Sequence, residues 1–288
     1  MEEDITDEQA DLELDYGMKD GEVRDAITDE SIKELDLSGL PIEIAIEDID
    51  SVIAESNEKF ALLRKEGLGG SDSSMVLNVN PYKNRNELIQ EKARDTLTEE
   101  EKEVSDKVAV RKGRDLEPLI IEKSSKFLGI DIFKPKDMYR FKDYPYLTMN
   151  FDGVADAPKE MPFKYFPVEI KVVTLYGQKH YDFNKAFFDE VQGIIPIPEN
   201  YAASEINTIE TKAMQYGIPP YYYTQLQQEM MALNSDYGYL SVMRDSDWRV
   251  FTFFVHKDPY VQSRLITEGY KVWSEVMQLN PDRKIEGM

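Results

Sequence analysis

The chain has 288 residues, 41% apolar and 11% aromatic, enough to fill one large core or two modest ones. It contains no cysteine, which excludes disulfides, thiolate catalysis, zinc–thiolate sites and iron–sulfur clusters together. The formal charge of −22 argues, as an average, against a polyanionic partner.

That average hides a division. Residues 1–60 hold 21 acidic and 4 basic side chains, net −17, whereas 61–288 hold 35 and 30, net −5. We therefore expect an acidic, partly helical extension over 1–60 and a nearly balanced body over 61–288 that can carry a local basic cleft. No run approaches 18 consecutive apolar residues, and residues 1–15 lack the basic and apolar parts of a secretory signal. No membrane partner and a cytoplasmic location are expected.

Residues 1–20 are dense in acid and poor in aromatic and β-branched side chains, so no packed element is expected there. Helical spacing predicts a helix over roughly 22–37, through Ala26, Ile27, Ile32 and Leu35. It predicts a second over 43–64, through Ile44, Ile49, Val52, Phe60 and Leu63, which can pack on the body or form an acidic interaction arm. The run Gly67-Leu68-Gly69-Gly70-Ser71-Asp72 predicts a tight turn whose Ser71 or Asp72 caps a short helix ending at Leu77. Helices follow at 84–96 and 103–128, then neighbouring strands at 147–155 and 166–173. Between 174 and 220 the pattern gives a helix near 178–190, a proline-punctuated loop at 194–200 and a short helix at 204–215. A clear helix at 221–234, strands at 237–243 and 248–256 and a final helix at 259–278 complete the chain. This order predicts an α/β domain with a mixed sheet.

The chemistry begins at Asp152, whose neighbour Gly153 lets a strand turn aim the carboxylate. Glu169 and Lys171, two apart on the next strand, share a face while Ile170 points the other way. Carboxylates on adjacent strands make an oxygen-rich pocket suited to Mg²⁺ or Mn²⁺. A neighbouring ammonium can orient water or offset charge developing on a phosphoryl group. The same triplet can equally be a surface ion pair. Glu117, one turn beyond Gly113 on the 103–128 helix, can approach this pocket, with Gly113 allowing close packing, or stay solvated. On the 221–234 helix Gln225, Gln228 and Glu229 share a face, and glutamine can hold water, lysine or phosphate without adding charge. Lys83, Arg85, Lys92, Arg94, Lys107, Arg111, Lys112 and Arg114 form the most basic stretch, either a phosphate-binding groove or a plain charged surface. Lys112 and Arg114 are the candidates for nucleic-acid contact within it, and Tyr221, Tyr222 and Tyr223 either pack in the core and hydrogen-bond at the surface or stack on bases. His180 and His256 are the only histidines and are read as structural, as are Trp248 in a strand and Trp273 in the last helix.

Taken in order, these residues resemble a known family. Arg64, the Gly67–Asp72 turn, Leu77, Asn80-Pro81-Tyr82, Gly113 with Glu117-Pro118, Asp152-Gly153, Glu169-Ile170-Lys171 and Tyr223-Thr224-Gln225-Leu226-Gln227 carry the resemblance. The chain is similar over roughly 60–257 to the YqaJ-like viral recombinases, which include the lambda-type phage exonucleases of the PD-(D/E)XK nuclease superfamily. The resemblance implies a restriction-endonuclease-like core, a mixed central sheet flanked by helices. It implies a metal-dependent nuclease acting on linear duplex DNA ends, degrading one strand from its 5′ end for a single-strand annealing partner in phage-type recombination. In a phage-encoded protein the location would be the host cytoplasm. By the family motif Glu117, Asp152, Glu169 and the Ile170 carbonyl would hold Mg²⁺ or Mn²⁺. Lys171 would position or activate water with Gln225, and Arg64 and Ser71 would take the 5′-terminal phosphate. A homo-oligomer, a trimer in members of the family, is implied as well.

The chain departs from the pattern at Phe151, where a proline often precedes Asp-Gly, in a long segment between Lys171 and Gln225, and in residues 1–60. A related endonuclease, or a non-cutting DNA- or partner-binding protein with an acidic regulatory segment, are the competing expectations.

Overall fold

The computed structural model describes residues 33–104, 108–173, 183, 194–195 and 208–285. Its centre is a nine-residue strand, β6 (Tyr165–Val173), whose near-continuous burial marks a strand covered on both faces. Around it lie β2 (Ile132–Phe133), β5 (Val154–Asp156), β7 (Ile194–Ile195), β8 (Tyr237–Arg244) and β9 (Val250–His256) in the order β2-β5-β6-β8-β9-β7. β5 runs antiparallel to β6 and β8 parallel to it, so the sheet is mixed, as expected.

Alternation along β6 assigns its two faces. Ile170 packs with Met243, Leu116 and Ile120, the last two from the long helix α6 (Val108–Leu128). Glu169 and Lys171 therefore look the opposite way. On that side lies α8 (Pro220–Leu233), whose Leu226, Met230 and Leu233 share the main core with Leu240 and Val242 of β8. The closing helix α9 (Pro259–Leu279) adds Leu265, Val272 and Trp273 to the same core.

A second sheet carries β1 (Ile42–Ile46), β3 (Met138–Phe141) and β4 (Thr148–Met149), all antiparallel. The predicted strand at 147–155 is thus two strands in two sheets, and Asn150–Gly153 is the crossing between them. The predicted helix at 43–64 is likewise broken. Ile42, Ile44 and Ile46 alternate as a strand, Asp48 takes a left-handed conformation (φ 46°), and two short helices follow, α1 (Ile49–Glu55) and α2 (Asn57–Leu63). Residues 33–37 are not helical, and the rest of the helix expected at 22–37 lies outside the described residues, as does that at 178–190 apart from the buried Phe183.

Elsewhere the expected elements stand within a few residues. The glycine turn leads through 70–72 into α3 (Ser73–Val76), followed by α4 (Arg85–Ala93), α6 and α7 (Ile209–Tyr216); the short helix α5 (Glu99–Val104) is an addition to the expected series, and Ile194–Ile195, expected in a loop, pair with β9 as β7. Trp248 (φ 60°) sits in the β8–β9 turn, not in a strand, while Trp273 is buried in α9 as expected. Among the described residues no helix is long and apolar enough to cross a membrane.

Residues 33–60 pack on the body. Leu35, Leu40 and Ile42 join the main core and β1 pairs with β3. Their acids meet body cations: Glu34 with Lys136 at 2.6 Å, Asp36 with Lys164 and Glu43 with Arg140 at 2.7 Å. These pairs are exposed and screened by water and salt. Each buried aliphatic side chain contributes about 1.5–3 kcal/mol, so apolar docking dominates.

The crossing turn depends on Gly153. A Cβ there would lie 2.8 Å from Ile132 Cγ2 and 3.1 Å from the backbone oxygen of Val168. The backbone cannot yield as a side-chain tip would, so Gly153→Ala is expected to destabilise the protein by about 1–3 kcal/mol. A lowered urea midpoint at unchanged slope checks this; an unchanged midpoint contradicts it.

Candidate active site

Beyond Val168, whose N–H donates to Gly153 O at 2.9 Å, β5 leaves the edge of β6. The next inward N–H on that edge, that of Ile170, is taken by the Asp152 carboxylate at 3.2 Å. A strand residue's N–H and carbonyl share one edge, so the Ile170 carbonyl also faces this opening. Lys171 Nζ stands 3.3 Å from Asp152 Oδ2, hydrogen-bonds Glu169 Oε1, and lies 5.7 Å above the Tyr222 ring.

Electrostatics here follow from burial. Glu169 is fully buried, and burial together with the Asp152 charge pushes its carboxyl up to about 7, against the pull of Lys171. Burial would lower Lys171, but the Asp152 and Glu169 carboxylates outweigh it and hold the ammonium well above its ordinary range. Glu117, on α6, stands near Asp152; burial and the Asp152 charge raise its carboxyl, while Lys134 Nζ contacts it at 2.9 Å.

A cleft of about 390 Å³ opens over these groups, lined by Asp152, Lys171, Gln225, Arg64, Ser71 and Tyr222 among others. Arg64 Nη2 donates to Ser71 Oγ at 2.9 Å within the same lining. The glycine turn beneath them is held from several sides. Asp72 Oδ2 accepts from Gly69 N at 2.8 Å, and Lys92 Nζ, itself buried, meets Asp72 at 2.6 Å and the Arg64 carbonyl at 2.9 Å. Gln228 Nε2 donates to the carbonyls of Leu68 and Thr148. Of the three polar residues sharing the α8 face, Gln225 lines the cleft, Gln228 braces the turn and Glu229 is buried beneath.

The structure thus places Asp152, Lys171, Gln225, Arg64 and Ser71 around one opening, with Glu169 fully buried against Lys171 and Glu117 near enough to Asp152 and Lys171 to feel their charge. Other candidates lie elsewhere. Tyr223 is fully buried and its hydroxyl donates to Asp258 Oδ2 at 3.0 Å, so of its two expected roles core packing is the one it fills. Tyr82 and Tyr221, in edge contact at 5.7 Å, line the cleft instead. Lys112 is engaged by Asp245 at 2.7 Å, and neither it nor the exposed Arg114 lines the cleft. Within the wider basic stretch Lys83, Arg85, Lys92 and Arg94 pair with Glu91, Glu268, Asp72 and Glu101, and Lys83, Lys92 and Arg94 line a separate cavity of about 830 Å³ in which acids are interleaved. Lys107 and His180 lie outside the described residues, and His256 ends β9 with its ring against Phe254. A Cβ on Gly113 would meet nothing within 4 Å, so close packing does not require that glycine. The roles of Lys92 and Lys134 carried no pattern in the sequence, since their partners are distant in the chain.

All the candidate metal donors are oxygens, and Glu169 Oε2 is buried with no N–H or hydroxyl donor. That chemistry suits a hard divalent cation. Among the described residues no three His, Cys, Asp or Glu side chains stand as a preformed metal cage; lysine ammonium groups stand against the carboxylates.

A mixed sheet bearing an Asp at a strand crossing and Glu-x-Lys on the next strand, flanked by helices, defines a nuclease-type hydrolase of the PD-(D/E)XK superfamily. Residues 59–236 match the YqaJ-like viral recombinase domain, and the chain belongs to that family. Among solved structures it is similar to the alkaline exonuclease LHK-Exo from Laribacter hongkongensis in complex with dAMP, at 15% identity and TM-score 0.47, covering 77% of this chain and 93% of that one. A phage related exonuclease from Haemophilus somnus is similar at 13% identity and TM-score 0.43, covering 76% and 96%. None of the curated proteins matches the chain significantly.

Proposed function

We propose that this protein is a divalent-metal-dependent exonuclease that degrades one strand of linear duplex DNA from its 5′ end. The observation that carries the reading is the single opening where the Asp152, Glu169 and Lys171 cluster faces the Arg64–Ser71 pair across one cleft. Asp152, Glu169, Glu117 and the Ile170 carbonyl would hold Mg²⁺ or Mn²⁺. Bound there, the ion would polarise the scissile phosphate and lower the pKa of the attacking water.

The chain's own groups supply the rest. Lys171 donates toward the reacting phosphate and its water, and Gln225, on the same wall, orients that water through its amide. The Arg64 guanidinium, the Ser71 hydroxyl and the backbone N–H groups of the glycine turn take the terminal 5′-phosphate. The cleavage step is an in-line attack of water on the phosphodiester with loss of the 3′-oxygen. Duplex DNA ends are the substrate, a single-strand annealing protein would receive the 3′ overhang, and a trimer in the host cytoplasm is the proposed assembly and setting.

Digestion of end-labelled linear duplex and covalently closed circular DNA with Mg²⁺ tests this. Loss of label from 5′-phosphorylated linear ends with intact circles is the expected result. Cut circles would instead mark an endonuclease, and binding without cutting a non-catalytic protein. Arg64→Ala should reduce the preference for 5′-phosphate over 5′-hydroxyl ends about 10–100-fold, the worth of a charge-assisted contact. Equal preference in both proteins would remove Arg64 from the phosphate site.

A further inference from the structure

Lys92 is a buried cation that hydrolysis itself leaves without a task. It stands in the last turn of α4, 3% exposed, and an ammonium taken out of water is costly unless its hydrogens are met. Two contacts meet them: Asp72 Oδ2 at 2.6 Å and the Arg64 carbonyl at 2.9 Å. Asp72 Oδ2 in turn accepts from Gly69 N at 2.8 Å. At the cleft, the Arg64 guanidinium donates to Ser71 Oγ at 2.9 Å. Arg64 and the 69–72 turn are thus joined twice, once through their own side chains at the cleft and once through Lys92 from α4.

The helix that carries Lys92 is firmly held. Leu88 and Ile89 of α4 are buried in the main core, and Arg85 Nη2 meets Glu268 of α9 at 2.9 Å. Lys65, next to Arg64, is anchored too, its Nζ donating to the Thr96 carbonyl at 2.9 Å and meeting Glu101 at 3.1 Å. An unbranched apolar side chain would fill the space of Lys92 without desolvating a charge. What the ammonium adds is geometry, a carbonyl and a turn held at one spacing.

We propose that Lys92 is a positioning residue of the phosphate site. It fixes the Arg64 backbone against the Gly69–Asp72 turn, so that the guanidinium, the Ser71 hydroxyl and the N–H groups of the turn meet a terminal 5′-phosphate in one preset arrangement. The inference rests on the reading that Arg64 and Ser71 take that phosphate. Lys92 does not itself line the cleft, so it acts through Arg64 and the turn.

The test is Lys92→Met, with cleavage and binding of linear duplexes that differ only in a 5′-phosphate or a 5′-hydroxyl end. The apparent KM on phosphorylated ends is expected to rise about 5–50-fold, with kcat within about twofold and both constants on hydroxyl ends within about twofold, because misplaced groups lose oriented contacts and not the chemistry. A variant that is merely less stable loses active protein on both ends alike, so an unchanged ratio between the ends overturns the proposal. In the Arg64→Ala background Lys92→Met should lower the preference by less than about twofold more, and a full additional loss also overturns it. Should Lys92→Met fail to fold with the Asp72 carboxylate left unpaired, Lys92→Met combined with Asp72→Asn removes that charge and keeps an oxygen for the Gly69 N–H. The same ratio is then expected, and the same unchanged ratio overturns the proposal. Binding of the two duplexes in EDTA needs no cleavage. A wild type that prefers phosphorylated ends in binding but never cuts would refute the nuclease reading, while the binding ratio would still decide the role of Lys92. A wild type that binds and cuts both ends equally would overturn the proposal and leave the nuclease reading standing.

Discussion

Replacing Lys171 with alanine is expected to slow strand hydrolysis by about 10²–10³-fold, the loss typical of removing one preorganised donor to a transition state. Binding of linear duplex should stay within about threefold. The ammonium lies between Asp152 and Glu169, 3.3 Å from the Asp152 carboxylate, at the mouth of a partly closed cleft. Its charge is secure, because both carboxylates hold it protonated across the working range despite its burial. A donor of fixed charge already in place needs no reorganisation as negative charge grows on the phosphate. Lys171→Arg should not restore the rate, since the planar fork is too wide for a contact made to Glu169 and Asp152 at once. Single-turnover cleavage of a 5′-labelled duplex, with binding measured separately, checks the split. A rate within tenfold of wild type for Lys171→Ala would remove the lysine from the chemistry.

The second large effect concerns stability and pH in chelator. Burial and the neighbouring carboxylates raise Glu117, Glu169 and Glu229, Glu169 from its ordinary 4.5 to about 7. The folded protein then binds more protons than the unfolded chain between about pH 4.5 and 7, so its stability falls as pH rises through that window. At about 1.4 kcal/mol per pH unit the Glu169 displacement amounts to about 3 kcal/mol, or roughly 5–10 °C in Tm for a domain of this size. Groups with lowered carboxyls act elsewhere. Glu101, held down to about 2 by backbone and side-chain hydrogen bonds from Thr98, Lys65 and Arg94 against the opposing effect of burial, has given its full contribution by pH 5. The expected result is a Tm in EDTA that drops from pH 5 to pH 8 and a smaller drop in Glu169→Gln. Mg²⁺ should restore most of the loss at pH 8, where the carboxylates are ionised and free to bind it. A wild-type Tm flat across pH 5–8 in EDTA would contradict the buried acid cluster.

The elements of the body were legible because local pattern and tertiary environment agree there. The helix at 221–234, the strands at 237–243 and 248–256 and the last helix were placed within a few residues of α8, β8, β9 and α9. The candidate site was legible for the same reason at Glu169-Ile170-Lys171, where period two alone puts the acid and the lysine on one face. Local pattern misled where the apolar spacing is ambiguous. Ile44, Ile46 and Ile49 fit a helix on paper, but Ile44 and Ile46 belong with Ile42 to a strand and Asp48 turns the chain.

Sequence by itself determined the class of the protein: no thiol chemistry, an α/β body, an oxygen-only donor set, and an ordered series of motifs that together name a family. The assignment of individual side chains needed the tertiary structure, because three tyrosines in a row or eight cations in one stretch look alike until burial sorts them. Only the fold could send Tyr223 to Asp258 and Lys92 to Asp72, and brace Gln228 against the Leu68 carbonyl, 160 residues away in the chain. The opening charge of −22 was settled the same way. Its N-terminal excess includes Glu34, Asp36 and Glu43, which meet lysines and an arginine about a hundred residues distant, and a sum over residues cannot show which charges face one another.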